Sequence, residues 1–258
     1  MNESVVVAAE THVVRVRLNR PDVRNALDPT TIAALTGVFR GMAEQPDVRA
    51  VVLEGTGAIF CGGADIKYMR DALELTQAQN YDDALRLSDM FEAIDACPIP
   101  TLVRVQGAAL GGGAGLVAVC DIVIAEENAL FGFTEAKLGI VPAVISPFVV
   151  RKIGAGQARA LFPTAERFGA ERALRIGLVH EVVPIVQLDA TIDSKLKELL
   201  TSGPQAARLA KHIARTVGAL ERDEARGWTA ERIAAQRVSP EGQEGLRAFL
   251  DKRRPSWS

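Results

Sequence analysis

Apolar and charged positions alternate from Val13 to Leu18 (VVRVRL), a period of two that predicts a half-buried strand. A polar stretch, NRPDVRNALDP, follows. Its Asp28-Pro29 pair supplies an N-cap and a first-turn proline, predicting a helix to about Glu44. Val48 to Glu54 reads as the next strand, and Gly55 to Ala64 (GTGAIFCGGA) as a glycine-rich loop. Leu73 to Ala96 reads as mostly helical, with a charged face. Pro98 and Pro100 introduce a strand over Thr101–Gln106. A glycine cluster then opens a helix through Cys120. Short strands are expected near Ile122–Ala125 and Leu130–Phe133, then a helix pair, then a last strand over Leu178–Val183 before Pro184. Strand–helix alternation through this part of the chain predicts an α/β architecture. Beyond Gln187 the pattern predicts helices only, with Pro204 and Pro240 near helix starts, as expected of an appendage or an oligomerisation element.

Composition narrows the class. The 258 residues are 48% hydrophobic and 24% charged, with a net charge of −2, which fits a globular chain able to bury a core unaided. No basic block points to nucleic acid; DKRRPSWS at the C-terminus is a small basic patch at most. Three cysteines without a CxxC argue against a disulfide framework and fit a reducing, cytoplasmic setting. MNESVVVAAETHVV does not read as a secretory signal, and no apolar run is long enough to predict a membrane span. His12, His180 and His212 lack metal-ligand spacing, so no metal site is expected.

The candidate chemistry lies in the glycines. Gly107, Gly111, Gly112, Gly113 and Gly115 crowd one short run, and glycine weakens both helix and strand. Backbone bared to a ligand is the usual reason. Gly113-x-Gly115-x-x-Ala118 loosely matches a dinucleotide fingerprint, but the turn does not directly follow its strand, and the acid 20 residues after Gly115, Glu135, lies beyond two strand-like segments. An oxyanion site fits better. Glycine backbone at a helix N-terminus offers unpaired N–H groups that stabilise charge developing on a carbonyl oxygen. A second loop of this kind, IFCGGADIKYM from Ile59 to Met69, supplies the second donor such a site needs.

These segments, FCGGADI, QGAALGGGAGLVAVCDIVIA, FGFTEAKLGIVP and TAERFGAERALRIGLVHEVVP, resemble the enoyl-CoA hydratase/isomerase (crotonase) family. VRLNRPDVRNAL and AFLDKRRPSW at the two ends fit as well. The resemblance implies a crotonase-like α/β fold: a spiral β/α core over residues 1–190 with an acyl-CoA site, and a C-terminal helical trimerisation region over 191–258. It implies an acyl-CoA thioester substrate, with coenzyme A as part of the substrate and no separate cofactor. Family members form trimers, often paired as hexamers, so a homotrimer or dimer of trimers is expected.

By motif position, the implied oxyanion donors are the backbone N–H groups of Ala64 and Gly112, beside Gly63 and Gly111. Hydratases of the family commonly use two glutamates. Here one position is Glu135 and the other is Gly115. A single carboxylate can still activate water and deliver the proton in succession, and the family's Δ3,Δ2-enoyl-CoA isomerases also use one glutamate. An inert acyl-CoA-binding member is the non-enzymatic alternative. The run from Pro142 through Ala143 to Val150 resembles the methylglutaconyl-CoA hydratase branch of leucine degradation, whose acyl group carries a second carboxylate. Gly115 is then expected to leave room beside the reacting carbons and to remove a repelling charge. Ser146 is expected to cap the helix that begins at Pro147. Arg24, Ala26, Asp65, Ile66 and Lys67 are expected along the CoA-binding loops, and Asp65 could equally cap a helix. Phe249 and Lys252 match positions that reach a neighbouring subunit's CoA. Cys61, with no adjacent base, is expected to be a packed thiol.

Overall fold

The computed structural model describes residues 3–257. Met1, Asn2 and Ser258, which end the N-terminal stretch and the basic tail discussed above, lie outside the described residues. In chain order the elements are β1 (Val5–Glu10), β2 (Val13–Leu18), α1 (Pro29–Gly41), β3 (Ala50–Gly55), α2 (Ile66–Asp71), α3 (Gln77–Asp95), β4 (Thr101–Val105), β5 (Ala108–Leu110) and α4 (Gly112–Val119). There follow β6 (Ile122–Glu126), β7 (Leu130–Gly132), α5 (Ser146–Thr164), β8 (Arg167–Gly169), α6 (Ala170–Arg175) and β9 (Glu181–Val183). The last four are α7 (Ile185–Leu200), α8 (Pro204–Thr216), α9 (Arg222–Val238) and α10 (Pro240–Leu250).

The main sheet runs β1-β2-β3-β4-β6-β9. Only the β1–β2 pair is antiparallel. A second sheet, β5-β7-β8, is parallel between β5 and β7 and antiparallel between β7 and β8. Strand period sorts the main sheet's side chains onto two faces. Val14, Val16, Val51, Leu53 and Val103 enter the large core shared with α1, α3, α4 and α5. Val13, Ala50, Val52, Leu102 and Ile124 meet Leu188, Ile192 and Leu196 of α7, three positions four residues apart on one helical face. The expected boundary at residue 190 therefore falls inside a helix that covers the sheet.

Beyond α7, cations fix the helices to the core. Arg208 of α8 donates to the carbonyls of Gln45 and Val48, Lys211 pairs with Asp121 at 2.6 Å, and Arg215 pairs with Asp95 at 2.8 Å. Arg49 reaches back to the carbonyls of Leu200, Ser202 and Trp257. The helix expected from Leu73 begins at Gln77, where Thr76 and Gln79 form a capping box. Gly154 (φ 79°) breaks α5 into the expected pair. Among the described residues, no helix is long and apolar enough to cross a membrane.

Candidate active site

Two glycine loops meet at the site. The first leaves β3 and ends at α2. The second leaves β4, forms β5 and enters α4. They are stitched together: the Cys61 N–H donates to the Ala108 carbonyl and the Leu110 N–H to the Cys61 carbonyl, both at 3.1 Å. Asn25 anchors a third loop. Its side chain accepts from the Arg20 N–H and donates to the carbonyls of Thr56 and Ile59. Leu27 then pairs in parallel with Ala64.

Around the two expected donors, four nearby N–H groups are engaged. Leu27 N–H donates to Gly63, Asp65 N–H to Leu27, Gly111 N–H to Gly132 and Gly115 N–H to Gly111. Among the described residues, no such bond uses the N–H of Ala64 or of Gly112. Gly112 opens α4, where unpaired amides and the helix dipole favour negative charge. Gly111 holds φ 50° with ψ −120°, a conformation that L-residues rarely adopt. A methyl there would sit 3.4 Å from Glu135 Oε1.

Glu135 begins a single 3-10 turn, Glu135–Leu138, after β7. Its Oε2 is buried with no hydrogen-bond partner among the described residues. Burial raises its pKa above the ordinary carboxylate value, against an opposing bond from its own backbone N–H. Leu138, Ile140 and Val141, which follow, are 61%, 55% and 71% exposed, so the chain after Glu135 forms a rim and not a lid.

Ala64, Gly112 and Glu135 line one cavity of about 170 Å³ with Leu27, Tyr68, Leu87 and the Ile140–Ile145 segment, Ala143 included. Ala64 also borders an adjoining cavity of about 350 Å³ formed by Asp22, Val23, Arg24, Ala26, Gly62, Asp65 and Ile66. A thioester carbonyl at Ala64 can thus have one arm in each cavity.

Several expected residues stand differently. Gly115 leaves no room. A methyl on it would meet Ile145 Cγ2 at 2.5 Å and the Phe91 ring at 2.9 Å, so those side chains fill the space expected for substrate. Gly115 lines neither cavity. Asp65 caps α2 by accepting from the N–H groups of Lys67 and Tyr68, and its other oxygen takes Arg20 at 2.9 Å. Burial opposes the charge, but the bonds from Lys67, Arg20 and Tyr68 outweigh it and lower the Asp65 pKa. That carboxylate is spoken for by the protein. Lys67 is exposed and lines neither cavity, as are Phe249, 82% exposed, and Lys252. Ser146 is the first residue of α5, with Ile145 in the capping position, and its hydroxyl donates to the Ala143 carbonyl. Cys61 is a packed thiol whose pKa burial pushes up to about 12. His180 accepts from the Val123 N–H through Nδ1, and His12 Nδ1 lies 3.0 Å from the Asp47 carbonyl. Tyr68, Leu87, Phe91 and Ile145 belong to the site or its backing and carry no motif. Their one signal is spacing: Leu87 and Phe91 lie four apart on α3.

The sequence model of the enoyl-CoA hydratase/isomerase family matches residues 8–258. The solved structure of AtuE from Pseudomonas aeruginosa superposes with a TM-score of 0.96 at 36% identity, covering 99% of both chains. An enoyl-CoA hydratase from Shewanella pealeana gives 0.94 at 37% identity, over 98% of this chain and 96% of that one. The crotonyl-CoA hydratase of Syntrophomonas wolfei is 32% identical over 257 residues, 99% of this chain and 98% of the relative. The fold is the crotonase fold, and the chain belongs to the enoyl-CoA hydratase/isomerase family of enzymes.

Proposed function

We propose that this enzyme adds water to a 2-enoyl-CoA thioester, with Glu135 as its only carboxylate acid/base. One observation carries the reading. Among the described residues, a buried carboxylate oxygen without a partner shares a small cavity with two backbone N–H groups for which no acceptor is found. The Ala64 and Gly112 amides polarise the thioester carbonyl. Glu135 takes a proton from water as the water oxygen bonds to C3, and enolate charge collects on the oxygen held by the two amides. The protonated Glu135 then returns its proton to C2. One water is consumed, its hydroxyl at C3 and its hydrogen at C2. The CoA arm lies in the adjoining cavity, with Arg24 beside it for phosphate.

The cavity chemistry also bears on the acyl group. Apart from Tyr68 and Glu135, its lining side chains are apolar, and none is a cation. A methylglutaconyl-type acyl group would bring a second carboxylate there without a partner and beside the Glu135 charge, an expensive burial. We therefore propose a short, uncharged acyl group. For the whole molecule we propose a homotrimer, or a dimer of trimers, in which Phe249 and Lys252 serve another subunit's site.

The filled space at Gly115 favours a second reading. With no second carboxylate to hold water, Glu135 can carry a proton between C2 and C4 of a 3-enoyl-CoA, giving Δ3,Δ2 isomerisation. Product mass separates the two: hydration gains one water and isomerisation gains nothing. Crotonyl-CoA, 3-methylglutaconyl-CoA and a 3-enoyl-CoA offered in parallel test the reaction and the substrate together. Water gained on crotonyl-CoA, with the methylglutaconyl thioester the poorer substrate, is the expected result.

A further inference from the structure

Tyr68 stands between two cavities. Its side chain borders the cavity that holds Glu135. Its hydroxyl donates to the Asp83 carboxylate. Asp83 in turn lines a separate groove of about 350 Å³ that runs along α1 past Pro29, Ile32, Ala33 and Thr36, with Arg40, Arg86 and Asp89 also in its lining. A single hydrogen bond thus spans the wall between the site and a groove that neither the catalytic reading nor the CoA arm uses.

The wall is built on one face of α3. Asp83, Leu87 and Phe91 are four residues apart and share that face. Phe91 fills the space at Gly115, Leu87 lines the site, and Asp83 holds Tyr68. Arg86, one turn on, pairs with Asp83 at 3.1 Å, and the Asp83 side chain is only 17% exposed. Burial, and after it the bond to Asp83, raise the Tyr68 pKa, which keeps the phenol a donor. Tyr68 itself lies on α2, whose N-cap immediately follows Ala64.

Resting on the reading of the small cavity as the acyl site, we propose that the Tyr68–Asp83 hydrogen bond is a partition that sets the longest acyl chain the enzyme accepts. Closed, it bounds the α3 side of a cavity of about 170 Å³, below the roughly 300–1,000 Å³ usual for ligand pockets. Opened, it joins that cavity to the groove along α1, whose Pro29, Ile32 and Ala33 side suits a longer hydrocarbon chain.

The test compares a short and a long substrate, crotonyl-CoA and 2-dodecenoyl-CoA, by kcat/KM. Calorimetric Kd values for butanoyl- and dodecanoyl-CoA accompany it. Tyr68→Phe and Asp83→Ala are each expected to raise the long-to-short ratio about tenfold, the scale on which a hydrophobic pocket discriminates chain length. The double variant is expected to do no more than either single one, because both remove the same bond. Ala33→Trp, which fills the groove, is expected to return the ratio of Tyr68→Phe to that of the wild type. A loss of stability alone would lower both rates and leave the ratio in place. An unchanged ratio in the single variants, with crotonyl-CoA still bound and turned over, overturns the partition and leaves the acyl-site reading standing. A wild type that neither binds nor converts either thioester overturns both.

Discussion

In the proposed mechanism, Glu135 concentrates the chemistry in one titrating group. Its raised pKa has a definite sign. Hydration uses the ionised form, so kcat/KM falls as pH drops through the folded-state pKa, which lies above the free value of about 4.3. A pH–rate profile should show that single carboxylate limb and no second one. A bell with two carboxylate limbs would mean that another acid takes part. The same shift affects stability. A carboxylate whose folded pKa is raised penalises folding when ionised; the penalty begins to fade as pH falls through the folded pKa and is gone below the unfolded pKa. Glu135→Gln should therefore raise the Tm at neutral pH while activity falls by about 10²–10⁴. Gly115 gives the opposite case. Gly115→Glu should not restore a second catalytic acid. It must displace Ile145 and Phe91, with overpacking costing about 1–3 kcal/mol before any cost of burying charge. A lowered Tm with no gain in kcat is expected; a folded variant with higher kcat would refute the packing account. The family motifs pointed to Ala64, Gly112 and Glu135, and the fold brings these three to one cavity. The fate of Gly115 was not legible in the sequence, because the side chains that fill it come from α3 and the start of α5.

At the scale of elements, the site depends on how firmly short helices hold their first turns. Asp65 links the cap of α2 to Arg20, and α2 directly follows Ala64. Asp65→Ala removes a cap worth about 0.5–2 kcal/mol and frees the loop that aims the Ala64 amide. We expect kcat to fall more than KM rises, since the amide matters most when charge builds on the carbonyl oxygen. Equal effects on both, or an effect on KM alone, would place Asp65 with the CoA arm. Longer elements were readable from period and punctuation: VVRVRL, Asp28-Pro29 and the prolines near α8 and α10. β5 and β8 were not, because β5 lies inside the glycine cluster and β8 is a short link between two helices. Neither was the role of α3's inward face, since Asp83 is polar and reads as solvent-facing until Tyr68 is seen against it.

For the molecule as a whole, the helical tail divides into two parts. α7 and the cations of α8 are committed to the core of the same chain. Ile233 and Val238 of α9, with Leu246, Phe249 and Leu250 of α10, remain exposed. The proposed trimer would cover this surface. Leu246→Asp together with Phe249→Asp should lower the sedimentation coefficient toward that of a single chain and weaken acyl-CoA binding, leaving the far-UV spectrum intact. A wild type that sediments as a monomer would contradict the assembly. The change from alternating strands and helices to helices alone was visible in the sequence. The position of α7 on the core was not, because an amphipathic stripe shows which face is buried without showing against what.

The central claim is that one carboxylate suffices for hydration here. Its most direct test is a single assay of crotonyl-CoA in isotopically labelled water, with wild type and Glu135→Gln side by side and product mass and deuterium at C2 as the readouts. The account predicts a product that has gained one water and carries solvent deuterium at C2 with the wild type, and almost none with Glu135→Gln. Hydration that survives in Glu135→Gln, or crotonyl-CoA that gains no water with the wild type, would contradict it.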